Sequence, residues 1–139
     1  MKILGLDLGS KTLGIASSDT LQMVASKMET LRFSSNDFES AIKQLNGLID
    51  WDIYESIVLG LPKNMDGSLG QQAQDTIRFK DMLEESSGKP VILWDERLTS
   101  RMANAMMISA DLSRKKRKTK VDYIAATIIL QSYLDSRRR

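Results

Sequence analysis

The chain has 139 residues, 42% hydrophobic and 27% charged, a formal net charge of +2, and neither cysteine nor histidine. Such a chain is long enough to bury roughly 68% of its extended surface in one domain with no disulfide framework or structural metal. Without imidazole or thiol there is no zinc finger, no Ser-His-Asp or Cys-His nucleophile and no paired-histidine ribonuclease chemistry. Catalysis would fall to carboxylates, lysine, arginine, hydroxyls and backbone amides, a set that selects hard cations such as Mg2+ or Mn2+.

Taken in chain order, Lys2 to Leu8 is a short apolar run ending at Gly9-Ser10, and Thr12 to Ser17 alternates Leu13 and Ile15 with small residues, which predicts two strands joined by a tight turn. Met23 to Phe33 alternates more loosely and is expected to be a third strand. Ser35-Asn36-Asp37 offers a cap before Phe38, Ile42, Leu45 and Ile49, whose spacing makes one helix face. Ser56 to Leu61, closed by Pro62, is the continuous apolar run of a strand buried on both faces.

A loop is expected from Pro62 to Gly70, then a second helix through Ala73, Ile77 and Leu83 as far as Gly88-Lys89-Pro90. Val91 to Trp94 is the next buried strand; Asp95-Glu96-Arg97 follows it, and a Met-rich helix with Met102, Met106 and Met107 is expected after Thr99. A basic, mobile loop at 112–120 should separate that helix from a last one starting near Val121, whose Ile124, Ala125, Ile128 and Ile129 form an apolar stripe. This order predicts a single α/β domain over 1–139, a mixed sheet with helices packed on it. No run approaches the roughly 20 apolar residues of a membrane span, and the charged N-terminal run lacks a cleavage site, so a cytoplasmic protein without membrane partners is expected.

Charge is uneven. From Arg114 onward nine basic residues stand against Asp122 and Asp135, and the remainder of the chain is acidic. Arg114, Lys115, Lys116, Arg117 and Lys118 read either as a solvated run or as a segment that contacts phosphates.

Three carboxylates stand out. Asp7 closes an apolar strand, where it is compensated either by amides of the Gly9-Ser10 turn or by a catalytic role. Glu96, beside Asp95, stands at the end of a buried strand, where ligands gather in open α/β sheets; alternatively, Asp95 or Glu96 pairs with Arg97 or Arg101. Asp122 is expected to open the last helix, where capping would suffice to explain it. As a set, Asp7, Glu96 and Asp122 could hold two divalent ions for phosphodiester hydrolysis, which needs no histidine.

The runs Gly5-Leu6-Asp7-Leu8-Gly9-Ser10-Lys11-Thr12-Leu13-Gly14-Ile15-Ala16, Gly60-Leu61-Pro62-Lys63-Asn64-Met65-Asp66-Gly67-Ser68, Asp95-Glu96-Arg97-Leu98-Thr99-Ser100 and Lys120-Val121-Asp122 resemble the YqgF family, also called RuvX. This is a family of bacterial pre-16S rRNA nucleases once described as Holliday-junction resolvases, and the resemblance spans Lys2 to Leu134. It implies a ribonuclease H-like fold: a five-stranded mixed sheet with its first three strands antiparallel.

The resemblance also implies metal-dependent cleavage of structured RNA at the 5′ end of precursor 16S rRNA, with an acidic triad falling on Asp7, Glu96 and Asp122 and Mg2+ or Mn2+ as cofactor. In that scheme Asp7 bridges two metals, and Glu96 and Asp122 hold one each. Lys11 and Arg97 neutralise phosphate oxygens, unless Arg97 instead locks Glu96, and the 114–120 segment tracks the nucleic-acid backbone. Leu8 and Thr12 depart from the family's proline and basic residue. Ribosomal particles are possible partners, and a monomer or weak homodimer is expected. Three other readings stay open: a resolvase of branched DNA, a non-catalytic RNA-binding module, and an actin-like or sugar-kinase ATPase sharing the D-x-G-[ST] turn.

Overall fold

The computed structural model describes residues 1–97 and 114–137, with the backbone alone described over 114–124. Five strands, β1 (Lys2–Leu8), β2 (Thr12–Ser18), β3 (Ala25–Arg32), β4 (Tyr54–Leu61) and β5 (Val91–Asp95), form one sheet in the order β3-β2-β1-β4-β5. The first three pair antiparallel, while β4 joins β1, and β5 joins β4, in parallel. The described helices are α1 (Phe38–Leu48), α2 (Gln71–Ser87) and α3 (Arg114–Arg137).

Local chemistry accounts for the boundaries. Asp37 caps α1 by accepting from the Ser40 amide. Gly88, in the left-handed region at φ 71°, ends α2 with its N–H donating to Glu84 O. Ile49, the last residue of the expected α1 face, is buried just past the helix as its C-cap.

Each inner strand alternates between two cores, as the two-residue period of a strand requires. Leu4, Leu6 and Leu8 of β1, with Ile57 and Leu59 of β4, pack with Phe38, Leu45, Phe79 and Leu83 of α1 and α2. Ile3 and Val58 point the other way, into a core with Ala126, Ile129, Leu130 and Leu134 of α3. The sheet thus carries α1 and α2 on one face and α3 on the other.

The sequence misplaces the start of the last helix. It begins at Arg114, not near Val121, so the segment expected as a loop at 112–120 is helical from Arg114 onward. Long unbranched lysine and arginine side chains are good helix formers, and charge repulsion within the run does not outweigh that propensity here. Asp122 is therefore the ninth residue of α3 rather than a residue of its first turn, which removes the basis for a capping role. The expected Met-rich helix after Thr99 lies outside the described residues.

Candidate active site

Asp7 belongs to the α3 face of β1 by its register with Ile3 and Gly5. On the same face of β4, Gly60 follows Val58 at two residues; on β5, Trp94 packs into the α3 core, and Glu96 follows it just beyond the strand end. The Glu96 N–H donates to Leu61 O at 3.1 Å, continuing the β4–β5 ladder and fixing where the side chain departs. From there Glu96 reaches Asp7 and hydrogen-bonds to it.

That contact has to cross β4, which lies between β1 and β5, and Gly60 makes the crossing possible. A Cβ on Gly60 would stand 2.8 Å from both Cγ and Cδ of Glu96 and 2.6 Å from Ile129 Cδ1, closer than real Cβ contacts. Gly5 clears a similar path for α3, since a Cβ there would stand 2.7 Å from Leu130 Cβ and 3.2 Å from Ala126 O. Two bare positions on neighbouring strands thus let α3 settle low on the sheet. Asp122 lies four residues, one helical turn, before Ala126.

Burial of Glu96, then the Asp7 charge and the hydrogen bond between the two side chains, push the Glu96 carboxyl up to about 9, with Asp95 adding to the effect. One proton shared between the Glu96 and Asp7 carboxyl groups is the arrangement that satisfies both without a cation. Two oxygen-donor carboxylates in contact, with a proton held between them, fit a hard divalent ion that would displace that proton. Among the described residues no three acidic groups converge, so the pair is the described part of any such site.

The alternatives for the neighbouring groups narrow among the described residues, while Arg101 lies outside them. The Gly9 N–H donates to Thr12 O at 2.7 Å, so this amide is engaged within its own turn. Arg97 pairs with Asp95: its Nε donates to Oδ1 and Oδ2 at 3.1 and 3.0 Å, and its Nη2 to Oδ2 at 2.7 Å. The Arg97 hydrogen bonds hold the Asp95 carboxyl below its ordinary value, and Lys63 Nζ stands 4.0 Å from Asp95 Oδ2. Asp95 follows Leu93, which packs toward α1 and α2, so it leaves the sheet on the face opposite Glu96.

Lys11 is exposed at the β1–β2 turn. Arg114, Lys115, Lys116, Arg117 and Lys118 form the first turn and more of α3. A cleft of about 280 Å³ bounded by Leu8, Ser10, Asn36, Gln71 and Gln72 opens beside Leu8 and Phe38 on the α1–α2 side and does not include the carboxylate pair.

Sequence reasoning passed over Gly60. The available signal was a glycine inside an otherwise unbroken apolar strand, which marks a close approach by another group.

The fold as a whole is similar to those of solved RuvC-like resolvases. Fowlpox virus resolvase, solved with Holliday junction DNA, superposes with a TM-score of 0.61 at 18% identity over 100% of both chains. Thermus thermophilus RuvC, solved with a Holliday junction substrate, gives 0.59 at 12% identity, covering 99% of this chain and 96% of that one.

Sequence carries the assignment further. The family model for RuvX, described as Holliday junction resolvase, matches residues 1–136. The "Putative pre-16S rRNA nuclease" of Geobacillus sp. (strain WCH70) is 49% identical over 138 residues, 99% of this chain and 100% of that protein. The chain belongs to the RuvX family.

Proposed function

We propose that this protein is a metal-dependent nuclease that hydrolyses phosphodiester bonds in structured RNA and trims the 5′ end of precursor 16S rRNA during ribosome assembly in the cytoplasm. The observation that carries the reading is the Asp7–Glu96 carboxylate contact across Gly60, at the sheet end where ligands of α/β proteins gather. The name of the Geobacillus relative, a pre-16S rRNA nuclease, supports RNA as the substrate.

Asp7, Glu96 and Asp122 are the residues proposed to hold Mg2+ or Mn2+. Bound there, the metal supplies an activated water and relief of charge on the scissile phosphate. Asp7 and Glu96 would hold the ion through their carboxylate oxygens, Glu96 in its deprotonated form. Asp122, carried on α3, would complete the set. Lys11 at the β1–β2 turn is proposed to meet substrate phosphate, and the Arg114–Lys118 run to follow the backbone, contributing affinity and salt dependence rather than sequence choice. Arg97 is proposed to add a phosphate contact from its bracket with Asp95. The chain is proposed to act as one domain over 1–139, as a monomer or weak homodimer, on RNA within ribosomal particles.

A second reading, resolution of branched DNA, is favoured by the family model's description. Both are tested by Mn2+- and Mg2+-dependent cleavage of a precursor rRNA 5′ region and of a four-way DNA junction in parallel, with Asp7→Asn as control. RNA cleavage alone, abolished in the variant, supports the first; paired cuts in the junction alone support the second. Binding of both substrates without cleavage would overturn each in favour of a non-catalytic module.

A further inference from the structure

The loop that joins β4 to α2 is braced more heavily than its exposure requires. The Gly67 N–H donates to Asn64 O at 2.8 Å, and the Asn64 N–H to Ser68 O at 3.0 Å. Asn64 Nδ2 donates to Ser68 Oγ at 3.0 Å, while the Ser68 N–H and Oγ both donate to Asp66 Oδ1, at 2.9 and 2.6 Å. The hydrogen bonds from Ser68 hold the Asp66 carboxyl below its ordinary value. Gly67 takes a φ of +87°, which a side chain would resist, and a Cβ there would stand 3.3 Å from Arg97 Nη1.

These bonds run around Met65, which is 83% exposed, with Leu69 also exposed beside the turn. A single exposed apolar residue is ordinary. The five hydrogen bonds fix the backbone that carries Met65, and the turn approaches Arg97, the residue after Glu96, since a Cβ on Gly67 would stand 3.3 Å from Arg97 Nη1. Leu61, whose carbonyl receives the Glu96 N–H, lies four residues before Met65 at the start of the same loop. Lys63 and Arg97, both bracketed by Asp95, bring cationic groups to the base of the same loop. A polarisable apolar side chain on a loop whose base carries cationic groups complements an unpaired nucleobase and its phosphate.

Resting on the nuclease reading above, we infer that Met65 stacks on an unpaired base of the substrate and is a specificity-determining residue for bulged or looped RNA over plain duplex. The rigid turn matters because a backbone already in place loses less freedom on binding.

The test is binding of two RNA stem-loops in EDTA, where no cleavage occurs: one carries a three-nucleotide bulge with 2-aminopurine, the other is fully paired. Wild type is expected to bind the bulged RNA more tightly and to change the 2-aminopurine emission. Met65→Ala should weaken bulged binding roughly 2- to 13-fold, the range of one sulfur–aromatic contact, with a smaller change for the paired stem. Met65→Phe should preserve the preference, and Gly67→Ala, which keeps Met65 but strains the turn, should reduce it. Thermal melting of Met65→Ala should match wild type.

Equal weakening of both RNAs by Met65→Ala, no weakening of either, or no preference in the wild type would overturn the inference. Because the readout is binding, it is separate from the cleavage assay. Cleavage with an unaltered Met65→Ala preference leaves the nuclease reading standing and removes only Met65.

Discussion

Glu96 and Asp7 touch although their strands are not neighbours, because Gly60 on the intervening β4 carries no side chain to keep them apart. The catalytic proposal therefore depends on a residue with no functional group.

Gly60→Ala should disturb both the site and the packing beneath α3. Overpacking of this kind costs roughly 1–3 kcal/mol, read as a lower urea midpoint, and Mn2+ affinity measured by calorimetry should fall about 10- to 100-fold. Pairing it with Ile129→Val removes the Cδ1 atom of the 2.6 Å contact but not the Glu96 contact at 2.8 Å. Stability should then partly return while Mn2+ binding stays weak; full recovery of both would mean that the glycine serves packing alone.

Asp7→Asn and Glu96→Gln should each lower metal-dependent cleavage at least about a hundredfold, since changing even the outer partners of metal ligands costs about 10- to 100-fold. Both amides keep the shape of the carboxyl, so melting in the absence of metal should change little or rise. Wild-type cleavage by either variant would remove that residue from the site.

Stability of the metal-free protein should fall with rising pH. Folded Glu96 keeps its proton up to about 9, whereas the unfolded chain releases it near the ordinary 4.5, so between those values the folded state binds the extra proton and loses stability as the proton becomes scarce. The contribution is fully present below 4.5 and gone above about 9. Urea midpoints measured across that window should decline, and Glu96→Gln should flatten the decline. At pH 7, Mn2+ binding should release close to one proton, seen as different calorimetric heats in buffers of different ionisation enthalpy.

Replacing Arg114, Lys115, Lys116, Arg117 and Lys118 by glutamine should weaken RNA binding uniformly across sequences. The slope of log K against log salt should shrink by about 0.7 to 0.9 for each phosphate that the variant no longer neutralises. An unchanged slope would show that the run does not meet the backbone.

The sequence by itself determined the strand and helix alternation as far as β5, because two-residue and 3.6-residue periods are written directly in the placement of Leu4, Leu6, Leu8, Ile57, Leu59 and the Phe38–Leu45 face. It also marked Asp7 and Glu96, since carboxylates at the ends of apolar strands conflict with burial. It placed the start of α3 seven residues late, because a run of like charges suggests a loop while the same residues favour helix.

Only the tertiary structure decided which partner each carboxylate takes. Asp95 and Glu96 are adjacent in the chain, yet the strand alternation sends one to Arg97 and the other across Gly60 to Asp7. Such a contact is set by strand order and by the absence of a Cβ on a neighbouring strand, neither of which leaves a periodic trace in one dimension.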